Sequence, residues 1–240
     1  MRIAVLPDIH ANLEALEKVF SILEGKHIDQ IVCLGDTVGY GANPNECLTL
    51  IRKNTSHILL GNHDQVAFDL SAARYFNPHA AVAAQWTHQQ LSEDKKQFLQ
   101  NLPYTVELEG ILFVHASPYQ PYAWHYIITD ADARDNFDHF TQTLCFVGHS
   151  HVPEIFRDNR TAKAGSPRGS GIQRNEKYII NVGSIGQPRD GDWRLSFGIF
   201  DSAAWSYEHI RSEYDVQAAS QKILKAGLPR ALAERLFFGR

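Results

Sequence analysis

Three short apolar runs, Arg2–Leu6, Gln30–Leu34 and His57–Leu60, alternate with two stretches of helical spacing before Asn62. Few folds absorb that rhythm. Apolar runs of this length, rich in Val and Ile, suit strands buried on both faces. Joined by helices, such strands lie parallel, with right-handed crossovers. The first helix expected runs from Asn12 to Glu24, with Leu13, Leu16, Phe20 and Leu23 on one face, Asn12 as N-cap and Gly25 as stop. The second covers Asn45 to Lys53. Further on, His79 to Asn101 reads as helix, with Ser92 capping a second segment. Tyr104–Leu108 and Ile111–His115 read as a hairpin closed at Glu109-Gly110. Asp130–Phe140 reads as helix and Leu144–Gly148 as a strand. From there to Asp201 strands predominate, and Asp215–Leu236 returns to helix. A segment rich in Gly, Ser and Arg, residues 159–175, is expected to be a flexible hairpin tip or a substrate-side loop.

With no internal repeat and no linker, residues 1–240 are expected to form one domain. A chain of this length buries roughly 70–75% of its unfolded surface, so disulfides are not needed to hold it. The net charge of −4 argues against a general nucleic-acid binder and against a stable nucleic-acid partner. Cys33, Cys47 and Cys145 show no CxxC spacing, and Cys33 and Cys145 lie in apolar runs as small core residues. The apolar start stops at Pro7-Asp8, too short for a signal peptide, and no run of membrane-spanning length follows. A cytoplasmic protein without a membrane partner is the expectation, its oligomeric state open.

Residues able to ligate metals recur at the ends of the apolar runs. The first run leads into Asp8-Ile9-His10, the second into Gly35-Asp36, the third into Gly61-Asn62-His63-Asp64. Later runs end at His115 and at Gly148-His149-Ser150-His151. Alternation along an extended chain puts Asp8 with His10, and His149 with His151, on shared sides. Ligands of open α/β sheets bind beyond the carboxyl ends of the strands, so these segments have reason to converge on one cleft. Buried together without a cation, such groups would carry a cost of several kcal/mol per uncompensated charge. Oxygen and nitrogen donors without thiolate suit manganese first, with iron, zinc, nickel or cobalt as alternatives. Seven candidate ligands are too many for one tetrahedral site; two ions sharing a carboxylate would use them. His27, His57, His79, His88, His139 and His209 fall outside the pattern.

These blocks resemble those of the calcineurin-like metallophosphoesterase superfamily, which run D-x-H, GD, GNH[DE], H and GHxH. The likeness spans residues 2 to about 200. Gly35-Asp-Thr-Val-Gly-Tyr-Gly-Ala-Asn-Pro44 and Asn181-Val-Gly-Ser-Ile-Gly-Gln-Pro-Arg-Asp190 resemble its small prokaryotic phosphodiesterases. The resemblance implies an α/β fold: a four-layer α/β/β/α sandwich of two mixed β-sheets. It implies two divalent metal ions, the first held by Asp8, His10 and His151, the second by Asn62, His115 and His149, with Asp36 bridging. His63 would stand beside the phosphate as the catalytic residue that assists the leaving oxygen, its ring oriented by Asp64.

The expected activity is hydrolysis of a small phosphate ester by a hydroxide shared between the ions, attacking phosphorus in line. A phosphodiester or nucleotide is favoured, with a cyclic nucleotide and a dinucleoside polyphosphate both open. Val38-Gly39-Tyr40-Gly41 stands where the protein serine/threonine phosphatases carry Arg-Gly, which disfavours a phosphoprotein substrate. A silent interaction scaffold on the same fold would have lost some of the motif residues. Arg189, Tyr40, the group Tyr119, Trp124 and His125, and the arginines Arg157, Arg160, Arg168 and Arg174 are weaker candidates for contact with substrate, none assigned.

Overall fold

The computed structural model describes residues 1–158, 160 and 171–240. The chain opens with β1 (Arg2–Leu6), α1 (Leu13–Leu23), β2 (Gln30–Cys33), α2 (Pro44–Asn54) and β3 (His57–Ile58). Helices α3 (Asn62–Phe68), α4 (Pro78–Gln90) and α5 (Glu93–Gln100) follow, then the hairpin β4 (Thr105–Leu108) and β5 (Ile111–Val114). Next come α6 (Asp130–Asn136), β6 (Leu144–Val147), β7 (Glu154–Arg157), β8 (Tyr178–Asn181), β9 (Leu195–Asp201) and β10 (Ser206–Ser212). Two helices close the chain, α7 (Val216–Lys225) and α8 (Arg230–Glu234).

Ten strands form two mixed sheets, ordered β10-β9-β1-β2-β3 and β4-β5-β6-β8-β7. In the first, β1, β2 and β3 run parallel while β9 pairs antiparallel with β1. In the second, β5, β6 and β8 run parallel while β4 and β7 pair antiparallel at the edges. Alternation assigns each side chain its layer. Ile3 and Val5 of β1 face the second sheet; there they meet Phe113, Phe146 and Ile180 in the inter-sheet core. Ala4 and Leu6 turn the other way, onto Leu16 and Val19 of α1 and Ile223 of α7. On the far side, Cys145, Val147 and Ile179 pack against Ala133 of α6 and against Phe137. Both faces of the parallel strands are therefore buried, which is why they read as continuous apolar runs. Helix, sheet, sheet and helix make the four layers expected.

Several local expectations need correction. Asn12 caps α1 through Ala15 N–H at 3.2 Å, but Ser92 bonds Asp94 Oδ1 at 2.6 Å and leaves the α5 backbone uncapped. Strand β3 pairs over two residues, because Leu60 N–H turns away to the Pro103 carbonyl at 2.8 Å. The helix at Asp130 ends at Asn136 and tightens into a single 3₁₀ turn. Strand β10, an edge strand paired with β9, was not anticipated, since Ser-Tyr-Glu-His-Ile-Arg-Ser has no apolar run to announce it. The flexible tip or substrate-side loop expected over residues 159–175 falls largely outside the described residues.

Candidate metal centre

The parallel strands of both sheets end at the same edge, and the predicted residues meet there. Asp8, His10, Asp36, His115 and Asp64 are at most 1% exposed, His63, His149 and His151 at most 6%. Alternation does not account for their convergence. Asp8 (φ 45°), His10 (50°), Asp36 (50°), His149 (64°) and His151 (61°) all take left-handed backbone just past their strands. Each such non-glycine residue costs roughly 1–2 kcal/mol, and five at one site mark strain stored where function requires it. The sharp reversals aim neighbouring side chains differently. His151 joins Asp8 and His10 in one group, while His149 joins Asp36 and His115 in another.

The motif glycines explain themselves at this edge. A Cβ on Gly61 would stand 2.1 Å from Asp36 Oδ1, and one on Gly148 would stand 2.3 Å from Asp8 Oδ2. Asp8 instead receives the His149 N–H on both oxygens, at 3.1 and 3.0 Å, and Asp36 Oδ1 receives the His63 N–H at 2.8 Å. Backbone donors of one motif thus hold the carboxylate of another.

Imidazole tautomers follow from the hydrogen bonds. His10 Nδ1 faces the Val38 carbonyl at 3.2 Å, His115 Nδ1 that of Leu34 at 3.0 Å, and His151 Nδ1 that of Gln187 at 2.6 Å. A carbonyl only accepts, so each Nδ1 carries the proton and each Nε2 presents a lone pair. Burial holds all three rings neutral by pushing their pKa values down, most strongly for His10 and His151. His10 Nε2 and His151 Nε2 nevertheless lie 3.0 Å apart, with Asp8 Oδ1 3.3 Å from the latter. Asp36 Oδ2 lies 3.6 Å from His10 Nε2 and 3.5 Å from His115 Nε2, and Asn62 Oδ1 lies 3.3 Å from His115 Nε2. Acceptors face acceptors in a buried space. His149 Nε2 is buried without any hydrogen-bond partner, its Nδ1 3.2 Å from His115 Nε2. Divalent cations fit this donor set, since a cation would accept the opposed lone pairs together.

The carboxyls respond as anions lacking a counter-charge. Burial raises Asp8 to about 6 against the pull of His115 and the His149 N–H. Burial and the Asp8 charge push Asp36 well above the carboxylate range. Asp64, at about 8, is raised by burial and then by Asp36.

His63 stands next to this assembly with its ring held otherwise than expected. Asp64 does not orient it; its carboxylate accepts Val38 N–H at 3.1 Å and Gly61 N–H at 3.2 Å, tying the loop after β2 to the start of α3. The His63 ring packs against Tyr40 at 4.3 Å, Phe76 at 4.5 Å and His10 at 4.9 Å, and its Nδ1 is buried without a partner.

Supporting residues escaped the sequence reading. Asn181 donates to the Gly148 carbonyl at 2.6 Å and to Ser150 Oγ at 2.9 Å, and Ser184 Oγ donates to the Asp8 carbonyl at 2.8 Å. Both end β8 as the ligands end their strands, a signal passed over because neither is a typical ligand. Tyr126 stacks on the His149 ring at 4.1 Å, and Trp124 meets the His115 ring edge-on at 5.6 Å. Trp124 thus lies at the site, whereas Tyr119 and His125 of the same loop stack on each other at 5.6 Å. Arg157 pairs with Glu176, Arg160 with Asp158 and Asp138, and Arg174 with the Ser202 and Ala203 carbonyls, so all three serve structural roles. Arg168 lies outside the described residues. The six histidines set aside earlier belong neither to these two groups nor to a third cluster of possible donors, His10, Asp36 and His63.

Residues 1–204 match the model of the calcineurin-like phosphoesterase superfamily domain. An uncharacterized protein of Methanocaldococcus jannaschii, MJ0912, is 42% identical over 242 residues, covering 99% of this chain and 98% of that protein. A crystal structure of a metallophosphoesterase from Sphaerobacter thermophilus is 39% identical and superposes with a TM-score of 0.87 over the whole of both chains. The crystal structure of hypothetical protein PH1004 from Pyrococcus horikoshii shares the fold, with a TM-score of 0.83 at 19% identity over 100% of this chain and 98% of that one.

Proposed function

The chain belongs to the calcineurin-like phosphoesterase superfamily and is a hydrolase of phosphate esters, and on that basis we propose a dinuclear metal-dependent phosphodiesterase acting on a small diester or nucleotide. The observation that carries the proposal is Asp36, whose Oδ2 lies between the Nε2 atoms of His10 and His115, one from each flanking ligand group. Asp8, His10 and His151 would hold one ion; Asn62, His115 and His149 would hold the other, with Asp36 shared. When bound, the ions supply Lewis acidity at the phosphate oxygens and bring water's acidity near neutral. The absence of thiolates among the donors supports manganese, iron, zinc, cobalt or nickel, with manganese first.

The chain's own residues do the rest. Carbonyls of Leu34, Val38 and Gln187 lock three imidazoles with Nε2 inward, so little reorganisation accompanies metal binding. His63 is kept neutral by burial and by Arg189, and a neutral ring there donates a hydrogen bond to the departing oxygen. Trp124 and the half-exposed Tyr126 border the second ligand group, and aromatic faces at that rim suit a base-bearing substrate. The full set of motif residues disfavours a silent scaffold, and Tyr40 in place of the phosphatase arginine disfavours a phosphoprotein. Free, buried Cys33, Cys47 and Cys145 suit a reducing compartment such as the cytoplasm.

The test is hydrolysis of bis-p-nitrophenyl phosphate against p-nitrophenyl phosphate, with Mn²⁺, after chelation, and with Asp36→Asn. Metal-dependent turnover preferring the diester and lost in Asp36→Asn is the expected result. Preference for the monoester would redirect the reading to a phosphatase. No turnover by folded protein with any of these metals, or an active metal-replete Asp36→Asn, would refute it.

A further inference from the structure

The loop over residues 187–192, after β8, contains two acids, and each already has its cation. Asp190 pairs with Arg211 of β10, and Asp192 pairs with Arg194, whose Nη2 lies 2.6 Å from Oδ2. Arg189, beside them in the chain, is left over and makes no ion pair among the described residues. Its Nη2 donates only to neutral oxygens, Gln187 Oε1 at 3.0 Å and the Tyr40 hydroxyl at 3.4 Å. Nη1 donates to nothing among the described residues, and Nε is buried without a partner. The side chain is partly buried, so water compensates it only in part.

This charge is held beside the first ligand group. Arg189 N–H donates to the His151 carbonyl at 3.2 Å, and Gly191 N–H donates to the Gly239 carbonyl at 2.9 Å, so the loop backbone is fixed on both sides. The guanidinium carbon lies 5.8 Å from the centre of the Tyr40 ring. That ring lies 4.8 Å from the ring of His10 and 4.3 Å from that of His63. Burial is the first cause that lowers both imidazoles, and the Arg189 charge adds to it. A guanidinium kept partly out of water with no acid beside it is destabilising unless an anion reaches it. Asp8 and Asp36 are not that anion, because their oxygens face imidazole nitrogens and backbone N–H groups. In a hydrolase of phosphate esters, the anion that comes to this edge is the substrate.

We propose that Arg189 is a substrate-binding residue whose guanidinium donates to non-bridging oxygens of the phosphoryl group at the first ligand group, with Tyr40 as the positioning residue that holds it through its hydroxyl. The inference rests on the phosphoesterase reading and adds to it a contact made by the chain itself rather than by an ion. The planar fork can meet two phosphoryl oxygens at once, which a lysine ammonium cannot reproduce. Two bonds to neutral oxygens pre-set its orientation, so little side-chain freedom is lost when the anion arrives.

The experiment is calorimetric titration of the Mn²⁺-loaded full chain with inorganic phosphate at fixed free Mn²⁺. It compares the native protein with Arg189→Ala, Arg189→Gln, Arg189→Lys, Tyr40→Phe and the double variant Tyr40→Phe/Arg189→Ala, with Mn²⁺ stoichiometry measured for each. Arg189→Ala and Arg189→Gln should bind phosphate about tenfold to a hundredfold more weakly than the native protein, and Arg189→Lys should recover part of the loss. Tyr40→Phe should cost less, about threefold, and should cost nothing further once Arg189 is alanine. A merely structural arginine would lower the melting temperature without this dependence. Three results overturn the proposal: no phosphate binding by the native protein, native affinity in Arg189→Ala or Arg189→Gln at full Mn²⁺ stoichiometry, or loss of Mn²⁺ in every Arg189 variant. An equal Tyr40→Phe penalty with and without Arg189 overturns the role given to Tyr40. The readout is independent of turnover. Arginine-dependent phosphate binding by a protein that hydrolyses no ester would sink the enzymatic reading and leave the contact standing; an active protein whose phosphate affinity ignores Arg189 would do the reverse.

Discussion

Three buried carboxyls and five buried imidazoles with opposed titration shifts make the centre a pH-sensitive element before any ion is bound. In the folded protein Asp8 is raised to about 6 and Asp64 to about 8, with Asp36 shifted the same way, all first by burial. Above pH 4 the folded state therefore holds protons that the unfolded chain has released, and stability falls as pH rises through these values. The rings of His10, His63, His149 and His151 are depressed by burial, so below about 6.5 the unfolded chain holds the extra protons and stability falls as pH drops. Metal-free protein should thus be most stable near pH 6–6.5 and lose up to about 1.4 kcal/mol per pH unit per carboxyl toward pH 8. Bound Mn²⁺ favours ionised carboxylates, so the alkaline limb should flatten and metal uptake at pH 6 should release protons. Urea unfolding at pH 6, 7 and 8, with Mn²⁺ and with chelator, checks this. An alkaline limb equal in both conditions would show that Asp8 and Asp36 are not metal ligands.

Among the elements, α3 has the most to do for its size. Its first three residues are Asn62, His63 and Asp64, and each serves differently. Asn62 offers Oδ1 to the second ligand group, His63 gives its N–H to Asp36, and Asp64 holds the Val38 and Gly61 N–H groups. Asp64 is therefore a positioning residue that joins the loop after β2 to α3. Asp64→Ala should cost about 1–3 kcal/mol by leaving two buried N–H groups unpaired. It should also weaken Mn²⁺ binding, because Asp36 and His63 sit on the two segments it joins. Urea unfolding and a Mn²⁺ titration measure both; unchanged stability and affinity would rule out the tie. The sequence signalled this helix only obliquely. Gly-Asn-His-Asp is composed of turn formers, yet an acidic residue three positions after Gly61 is also a helix-start pattern. Strand β10 was illegible for a different reason, since its solvent-facing polar residues satisfy pairing without contributing a core.

At the scale of the whole molecule, neither sheet alone supplies either of the two proposed ion sites. Asp8 and His10 follow β1 of the first sheet while His151 follows β6 of the second; Asp36 and Asn62 come from the first while His115 and His149 come from the second. The centre exists only when the sheets stack through Val5, Phe113, Phe146 and Phe200. Ions bound at this seam should stabilise the entire fold, each at a hundredfold over its Kd contributing about 2.7 kcal/mol. For a chain of this length that is worth roughly 5–10 °C in Tm. Phe146→Ala should cost about 3–5 kcal/mol and should weaken Mn²⁺ binding from a distance, because it loosens the seam. Calorimetric unfolding with and without Mn²⁺ tests both effects. A Tm indifferent to metal would contradict a site built across the two sheets.

Residue order alone determined which side chains could do the chemistry. Apolar runs ended by Asp, His and Asn declare buried parallel strands and a polar edge, because strands buried on both faces read as continuous apolar runs and ligands of such sheets gather beyond their carboxyl ends. The motif glycines at Gly61 and Gly148 belonged to that legible set as well. How the ligands divide was implied by the family resemblance and not by strand alternation, and the tertiary structure supplies the physical cause. Left-handed turns at Asp8, His10, Asp36, His149 and His151 send His149 and His151 to different groups, a separation that strand alternation would deny. Tertiary contacts alone also assigned Asp64 to backbone N–H groups, Tyr126 to the His149 ring, and Arg189 to the Tyr40 hydroxyl. Each of these depends on distances between segments far apart in the chain, and local residue pattern carries no record of them.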